Sequence, residues 1–195
     1  MFLSTISPQE LSLLPTPHFD GEILVVDSPQ TMAQAEQILQ GEPLLGFDTE
    51  TRPAFARGVS YRMSLLQIST PRVAILFRLL LCPLSAGVVR VLSDKRVLKI
   101  GAAINDDIKG LQKQVPFEPG GFVDLQKIVA RWGIQDKSVK KMGAIVLEIK
   151  ISKAQRLSNW EAARLTPAQQ EYAAMDAWVC QKIYQVLMAT APLTK

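Results

Sequence analysis

The stretch Leu44-Leu45-Gly46-Phe47-Asp48-Thr49-Glu50 joins a short apolar run directly to two carboxylates. An apolar run of this length predicts a buried β-strand, here from Leu44 to Thr49. Residues two apart on a strand point to the same face of its sheet, so Asp48 and Glu50 project together. An isolated Asp-x-Glu is more often a strand running into solvent, because charged side chains are mostly exposed. A functional role for this pair therefore needs support from other parts of the chain.

Two further strand-like runs follow this stretch at short spacing. They cover Ser60 to Ser69 and Arg72 to Leu79, and Thr70-Pro71 forms the turn between them. Connections as short as these favour antiparallel neighbours. The sequence therefore predicts a three-stranded antiparallel meander built from residues 44–49, 60–69 and 72–79.

The rest of the chain alternates between helical and strand-like patterns, without an internal repeat. The capping box Ser7-Pro8-Gln9-Glu10 predicts a short first helix. The other predicted helices cover residues 31–39, 85–92, 105–115, 127–132, 138–147 and 167–188, and the other predicted strands cover residues 22–26, 97–102 and 122–123. We therefore predict an α/β fold, in which a mixed sheet combines the antiparallel meander with later parallel strands and is covered by helices. Residues 1–20 are expected to form an N-terminal extension and residues 21–190 a single domain.

The composition excludes several kinds of chemistry. The 195 residues contain one histidine, His18. A pair of histidine metal ligands is therefore excluded, and a Ser-His-Asp triad would have to use this residue. The two cysteines, Cys82 and Cys180, show neither zinc-binding spacing nor a disulfide framework, which fits a reducing cytoplasm. No signal peptide or membrane span is expected. The net charge of +4 gives only a slight preference for an anionic partner.

The last predicted helix places a carboxylate in its apolar stripe. The capping box Thr166-Pro167-Ala168-Gln169 fixes the helical frame, in which Tyr172 and Asp176 lie one turn apart. The same stripe contains Val179, Cys180, Ile183 and Leu187. Burying a carboxylate costs several kcal/mol unless it is paired or bound to a metal. Asp176 therefore needs a partner, which is either a metal ion or a lysine or arginine in a buried ion pair.

Asp107 stands where a predicted strand gives way to a predicted helix. Asn105, Asp106 and Asp107 are all favoured at a helix start by capping and by the helix dipole, so a purely structural role also explains them. Asp107 is preferred over Asp106 as the functional residue because it lies beside the apolar Ile108, near the buried edge of the helix.

With these residues in this order, the chain resembles the DEDD exonuclease superfamily in its tyrosine-containing branch. Leu66-Gln67-Ile68 and the segment from Lys153 to Trp160 are similar to the Werner-exonuclease and ribonuclease D side of that branch. The resemblance covers about residues 44–187. It implies a ribonuclease H-like sheet and a single 3′-5′ exonuclease domain over residues 21–190. Ala102-Ala103 departs from the glycine that relatives often carry, and Met175 from a small or polar residue.

The resemblance also implies a reaction and a site. A 3′-5′ exonuclease would hydrolyse phosphodiester bonds from the 3′ end of a strand and release nucleoside monophosphates. Asp48, Glu50, Asp107 and Asp176 would hold two divalent cations, Mg²⁺ or Mn²⁺, and Tyr172 would orient the attacking water. DNA is favoured over RNA because no helical nucleic-acid-binding domain follows residue 190, and protein partners are not indicated.

A basic segment before the last helix is the candidate contact for the phosphate backbone. Lys153 and Arg156 are the preferred contacts because they lie in the family-like stretch, although a solvated basic face is the usual alternative. Trp160 is expected either to stack on a base or to be a buried anchor. Two other functions stay open: a catalytically silent nucleic-acid-binding module of the same fold, and an exoribonuclease that processes RNA 3′ ends.

Overall fold

The sheet is centred on the strand that carries the Asp-x-Glu motif. The computed structural model describes residues 1–193, in which six strands form one sheet. In chain order the strands are β1 (Glu22–Val26), β2 (Leu44–Thr51), β3 (Met63–Ser69), β4 (Val73–Arg78), β5 (Leu98–Gly101) and β6 (Phe122–Asp124). The helices are α1 (Pro8–Leu13), α2 (Pro29–Leu39), α3 (Ala86–Ser93), α4 (Asn105–Gln112), α5 (Leu125–Ile128), α6 (Val139–Leu147) and α7 (Pro167–Ala189), and a 3₁₀ turn, Val129–Trp132, follows α5.

The strand pairing confirms the predicted mixed sheet. The spatial order is β1-β4-β3-β2-β5-β6. Strand β3 pairs antiparallel with both β2 and β4, which is the expected meander, whereas β1 runs parallel to β4. Strands β5 and β6 extend the other side in parallel, β5 against β2 and β6 against β5.

Most predicted boundaries lie within two residues of the observed ones, and three predictions differ by more. Strand β3 begins at Met63 rather than Ser60, because the pairing of β2 with β3 shifts register between Glu50 and Thr51 and the chain then leaves the sheet. The predicted helix over residues 127–132 is divided into α5 and the 3₁₀ turn, which Gly133 ends with a φ of 82°. Helix α4 ends at Gln112, three residues before the predicted boundary at Val115.

Helices cover both faces of the sheet. Helices α2, α3 and α4 pack with one face, where Leu45, Phe47 and Ile68 are buried. Helices α6 and α7 pack on the other face, and α7 lies against β2, β3 and β5. Because side chains alternate along a strand, Phe47 and Asp48 point to opposite faces, and Asp48 points towards α7. None of the helices within residues 1–193 combines the length and apolarity that crossing a membrane requires.

The first 20 residues pack against the α6–α7 side of the molecule. Ile6, Leu11 and Phe19 are buried in the same apolar cluster as residues of α6 and α7. The backbone N–H of Ile6 donates to Asp136 at 3.0 Å, and that of Phe19 donates to Glu171 on α7 at 2.7 Å. These contacts attach the segment firmly to the sheet-bearing part of the chain.

Ala103 is strained in the turn that leads from β5 into α4, and replacing it with glycine is expected to stabilise the protein. Its φ of 60° is left-handed, which costs a non-glycine residue about 1–3 kcal/mol. The greater entropy of glycine in the unfolded chain offsets about 0.5–1 kcal/mol of this gain. Ala103→Gly should therefore raise the free energy of unfolding by about 0.5–1 kcal/mol, measured by thermal or urea unfolding. Ala102→Gly, at a residue with ordinary φ, is the control and should be neutral or destabilising.

Candidate active site

Helix α7 passes so close to β2 that only glycine fits between them. A β-carbon added to Gly46 would lie 2.0 Å from the backbone oxygen of Ala177 and 2.3 Å from the Oγ of Ser69. Asp176 precedes Ala177 on α7, and Asp48 lies two residues after Gly46 on the same face of β2. The contact at Gly46 therefore brings the carboxylate of the last helix over the carboxylates of the strand.

Asp176 is a buried carboxylate that lacks a full set of partners. Only 2% of the residue is exposed, and its Oδ1 atom has no hydrogen-bond partner. The Nζ atom of Lys153 lies 3.5 Å from this oxygen, beyond the usual range of a charged hydrogen bond. Asp176 was expected to have either a metal ion or a lysine or arginine as its partner. It has a lysine neighbour, and its Oδ1 atom still lacks a hydrogen bond, as a metal ligand would before the metal binds.

Burial raises the pKa values of the acidic side chains of the site, and at Asp48 and Glu50 the charges of neighbouring carboxylates raise them further. Burial raises the pKa of the Asp48 carboxyl well above its usual range, and the charges of Asp176 and Asp107 raise it further. Burial also raises the pKa of Glu50 to about 9, with added repulsion from Asp48 and Asp176. The pKa of Asp176 is raised by burial, an effect that the charge of Lys153 opposes. The carboxylates therefore share a poorly solvated pocket in which like charges repel.

Asp107 is held against β2 from the start of α4. One of its carboxylate oxygens accepts a hydrogen bond from the hydroxyl of Thr49, and burial raises the pKa of this carboxyl. Asp106 points into solvent, where it pairs with Lys109 at 3.3 Å. This placement supports the choice of Asp107 over Asp106.

Tyr172 lies one turn before Asp176 on the same side of α7. The residue is 6% exposed, and burial, followed by the charges of Asp176 and Glu50, raises the pKa of its hydroxyl. The hydroxyl therefore stays protonated at neutral pH, so that it can donate a hydrogen bond but cannot serve as a base.

The suggested base-stacking role of Trp160 is wrong for this structure. Trp160 is completely buried, and its ring packs 5.9 Å from that of Tyr172, in a cluster with Leu65 and Leu76. A ring enclosed in this way has no face left for a base, so Trp160 is the buried anchor of the alternative expectation. Lys153 reaches the carboxylates, whereas Arg156 is exposed on the segment between α6 and α7.

Two residues beside the carboxylates were not predicted from the sequence. Thr49 lies within the motif itself and binds Asp107 from the opposite face of β2. Gln67 lies opposite Asp48 on β3, and both polar atoms of its fully buried side chain lack hydrogen-bond partners. Gln67 is a polar residue inside the apolar run of β3, and this position could have identified it as a candidate site residue, because a buried polar group requires a partner.

The chemistry of these side chains suits a divalent cation bound by oxygen atoms. Carboxylates are the ligands that Mg²⁺ and Mn²⁺ prefer, and the unpartnered oxygen of Asp176 gives such an ion a place to bind. The acidic groups are near one another without being closed around a common point: within residues 1–193, no three acidic, histidine or cysteine side chains form a ready-made metal cluster.

Comparison with known proteins gives the family of this chain. Residues 23–191 match the family model described as 3′-5′ exonuclease. The chain belongs to this family. The exonuclease domain is 34% identical over 149 residues to Exonuclease 3′-5′ domain-containing protein 2 of Drosophila melanogaster, covering 74% of the chain and 25% of that relative. It is 28% identical to the human protein of the same name, covering 86% and 29%. The chain therefore spans between a quarter and a third of the length of these curated relatives.

Solved structures share the fold of the exonuclease domain. The Nibbler EXO domain of Aedes aegypti superposes with a TM-score of 0.74 at 24% identity, over 86% of this chain and 88% of that one. Trypanosoma brucei RNase D in complex with RNA U12 gives a TM-score of 0.77 at 21% identity, over 96% and 67%. Both the expected ribonuclease H-like fold and the resemblance to DEDD exonucleases are confirmed. Proteins of this family act on the 3′ ends of nucleic acids and generally use divalent metal ions.

Proposed function

We propose that this domain is an active 3′-5′ exonuclease, which hydrolyses phosphodiester bonds from the 3′ end of a strand and releases nucleoside monophosphates. The observation that carries the proposal is the buried Asp176 carboxylate, held over Asp48 and Glu50 with an oxygen that lacks a hydrogen-bond partner. A protein gains nothing in stability from gathering repelling carboxylates in a pocket, so their placement suits a cationic ligand.

Four carboxylates would hold two divalent cations, Mg²⁺ or Mn²⁺. These side chains come from three elements: Asp48 and Glu50 from β2, Asp107 from α4 and Asp176 from α7. When bound, such cations lower the pKa of a water and stabilise the attacking and leaving oxygens of a phosphodiester displacement. Two of them would balance the formal charge of the four carboxylates.

Tyr172 is proposed to position the attacking water, which would place the domain in the tyrosine-containing branch. Its protonated hydroxyl can hold a water by donating a hydrogen bond, and burial against Trp160 fixes the ring. The single histidine, His18, is an unsuitable substitute, because its side chain is 91% exposed and lies beside Glu171.

The substrate is proposed to be DNA first and RNA as the alternative. The structural similarity to Trypanosoma brucei RNase D, whose structure contains RNA U12, is the reason to test RNA beside DNA. Lys153 and Arg156 are the side chains proposed to contact backbone phosphates, and phosphate contacts do not distinguish the two sugars. The preference for DNA is therefore a proposal, which a direct comparison of DNA and RNA substrates tests.

The test is digestion of matched single strands. DNA and RNA of one sequence, labelled at the 5′ end, are incubated with the protein and Mg²⁺ or Mn²⁺ and compared with an EDTA control. We expect a ladder that shortens from the 3′ end, only in the presence of metal. Strand binding without shortening, under every metal condition, would contradict the enzyme and support the catalytically silent module. Asp48→Asn protein, purified in the same way, controls for contaminating nucleases.

A further inference from the structure

Lys153 connects the irregular segment between α6 and α7 to the carboxylate pocket. Its Nζ atom lies 3.5 Å from Oδ1 of Asp176 and 5.8 Å from the ring centroid of Tyr172. The side chain of Lys153 is 38% exposed, whereas that of Asp176 is 3% exposed. The ammonium group therefore has access to solvent, while the carboxylate that it approaches is fixed inside the protein.

Other lysines in the chain show what a permanent contact looks like in this fold. Lys99 is completely buried, and its Nζ donates to the carbonyl oxygens of Val91, Asp94 and Val97 at 2.7–2.9 Å. Lys141 contacts Asp136 at 2.8 Å. The pair of Lys153 and Asp176 is longer than either, and the oxygen involved has no hydrogen bond. Lys153 therefore opposes the negative charge of Asp176 without forming a close hydrogen bond to its Oδ1 atom.

We propose that Lys153 is a displaceable internal counterion, which takes the place of a divalent cation beside Asp176 until metal binds. The inference rests on the proposed function of the carboxylates as a metal site. A divalent cation and the ammonium group compete for the same oxygen of Asp176, so metal binding releases Lys153. The released ammonium, on a segment open to solvent, is then free for a phosphate of the strand.

This exchange links the binding of metal to the binding of nucleic acid. Without metal, Lys153 is engaged with Asp176, so the strand loses one cationic contact, and the pocket that it faces offers no metal cation to its phosphate. With metal, the ammonium group of Lys153 is released for a phosphate, and the bound cations also attract the strand. Because binding couplings are reciprocal, the strand should also favour metal binding. The pocket would therefore resist occupation by either ligand alone and favour occupation by both.

The first test measures Mn²⁺ affinity by isothermal titration calorimetry in the absence of nucleic acid. Lys153→Met removes the competing charge, so we expect it to bind Mn²⁺ about tenfold more tightly, a change of about 1.4 kcal/mol. Lys153→Arg keeps the charge and should stay within about twofold of the original protein. Lys182→Met is the matched control for loss of one positive charge, since Lys182 also lies on a ring, 5.5 Å from that of Trp178. Equal affinity in Lys153→Met and the original protein would overturn the displacement.

The second test measures strand binding in EDTA by fluorescence anisotropy. Asp176→Asn should release Lys153 and tighten the binding of a single strand several-fold, and the added change Lys153→Met should reverse most of this gain. If Asp176→Asn tightens binding equally with and without Lys153, the effect is one of net charge and the inference is wrong. Absence of Mn²⁺ binding in every variant would instead overturn the metal site itself, and the two failures are thus distinguishable.

Discussion

Asp48→Asn is expected to lower the exonuclease rate by about 10²–10⁴-fold, since bound metal stabilises the reacting oxygens by several kcal/mol. Its carboxyl is close enough to both Asp176 and Asp107 for their charges to raise its pKa. In the original protein, a metal at about 100 times its dissociation constant adds ~2.7 kcal/mol of stability. Asp48→Asn should lose most of that gain along with the activity.

The same variant should be more stable than the original protein when metal is removed. A carboxyl with a raised folded pKa binds more protons in the native state, so stability falls as pH rises from its unfolded towards its folded pKa. At neutral pH these buried carboxyls therefore cost stability, because folding must either protonate them or bury their charge, and Asp48→Asn relieves that cost. We expect a higher melting temperature than the original in EDTA and a lower one in saturating Mn²⁺.

Thermal unfolding with and without Mn²⁺, together with the cleavage assay, checks both expectations. Asp106→Asn is the matched control, because Asp106 is exposed on α4 beside Lys109 and should change neither quantity. An Asp48→Asn protein that keeps the full Mn²⁺ response would contradict the assignment of Asp48 as a ligand.

Gly46→Ala is expected to damage stability and activity together. The added methyl group would lie 2.0 Å from the backbone oxygen of Ala177, which cannot rotate away as a side chain would. Helix α7 must therefore move away from β2, and overpacking of this kind costs about 1–3 kcal/mol. The shift carries Tyr172 and Asp176 away from Asp48, and a displacement of about 1 Å lowers a rate by about 10²-fold.

Urea unfolding and the cleavage rate per folded molecule separate these two effects. Gly143→Ala is the control: its added methyl would meet Cδ1 of Ile151 at 2.8 Å, the end of a flexible side chain, so α6 can accommodate it. A Gly46→Ala protein that is destabilised but cleaves normally when folded would show that the site tolerates movement of α7.

Periodic patterns predicted the elements that build the site. The alternation along β2 placed Asp48 and Glu50 on one face, and the stripe of α7 placed Tyr172 and Asp176 towards the core, as the structure has them. Regular elements repeat their side-chain directions, so sequence spacing is sufficient to place such residues.

Irregular segments were the part that spacing could not predict. The contact of Lys153 with Asp176 and the burial of Trp160 depend on how the chain folds back between α6 and α7, where no repeat fixes side-chain direction. Strand β3 begins later than predicted because the pairing of β2 with β3 shifts register after Glu50. Such a shift is a property of the pair of strands, so the sequence of neither strand alone indicates it. The close approach of Ala177 to Gly46 likewise appears only when the two elements are packed.

The packing of the N-terminal segment has a practical consequence for activity measurements on this domain. The backbone N–H of Phe19 donates to Glu171, the residue before Tyr172, and the ring of Phe19 meets that of Trp178 edge-on at 6.2 Å. A truncated protein starting at residue 21 would leave the Glu171 carboxylate without this donor and would uncover Trp178 and part of the apolar cluster shared with α6 and α7. Loss of activity after such trimming would then report a loosened helix rather than a missing catalytic group.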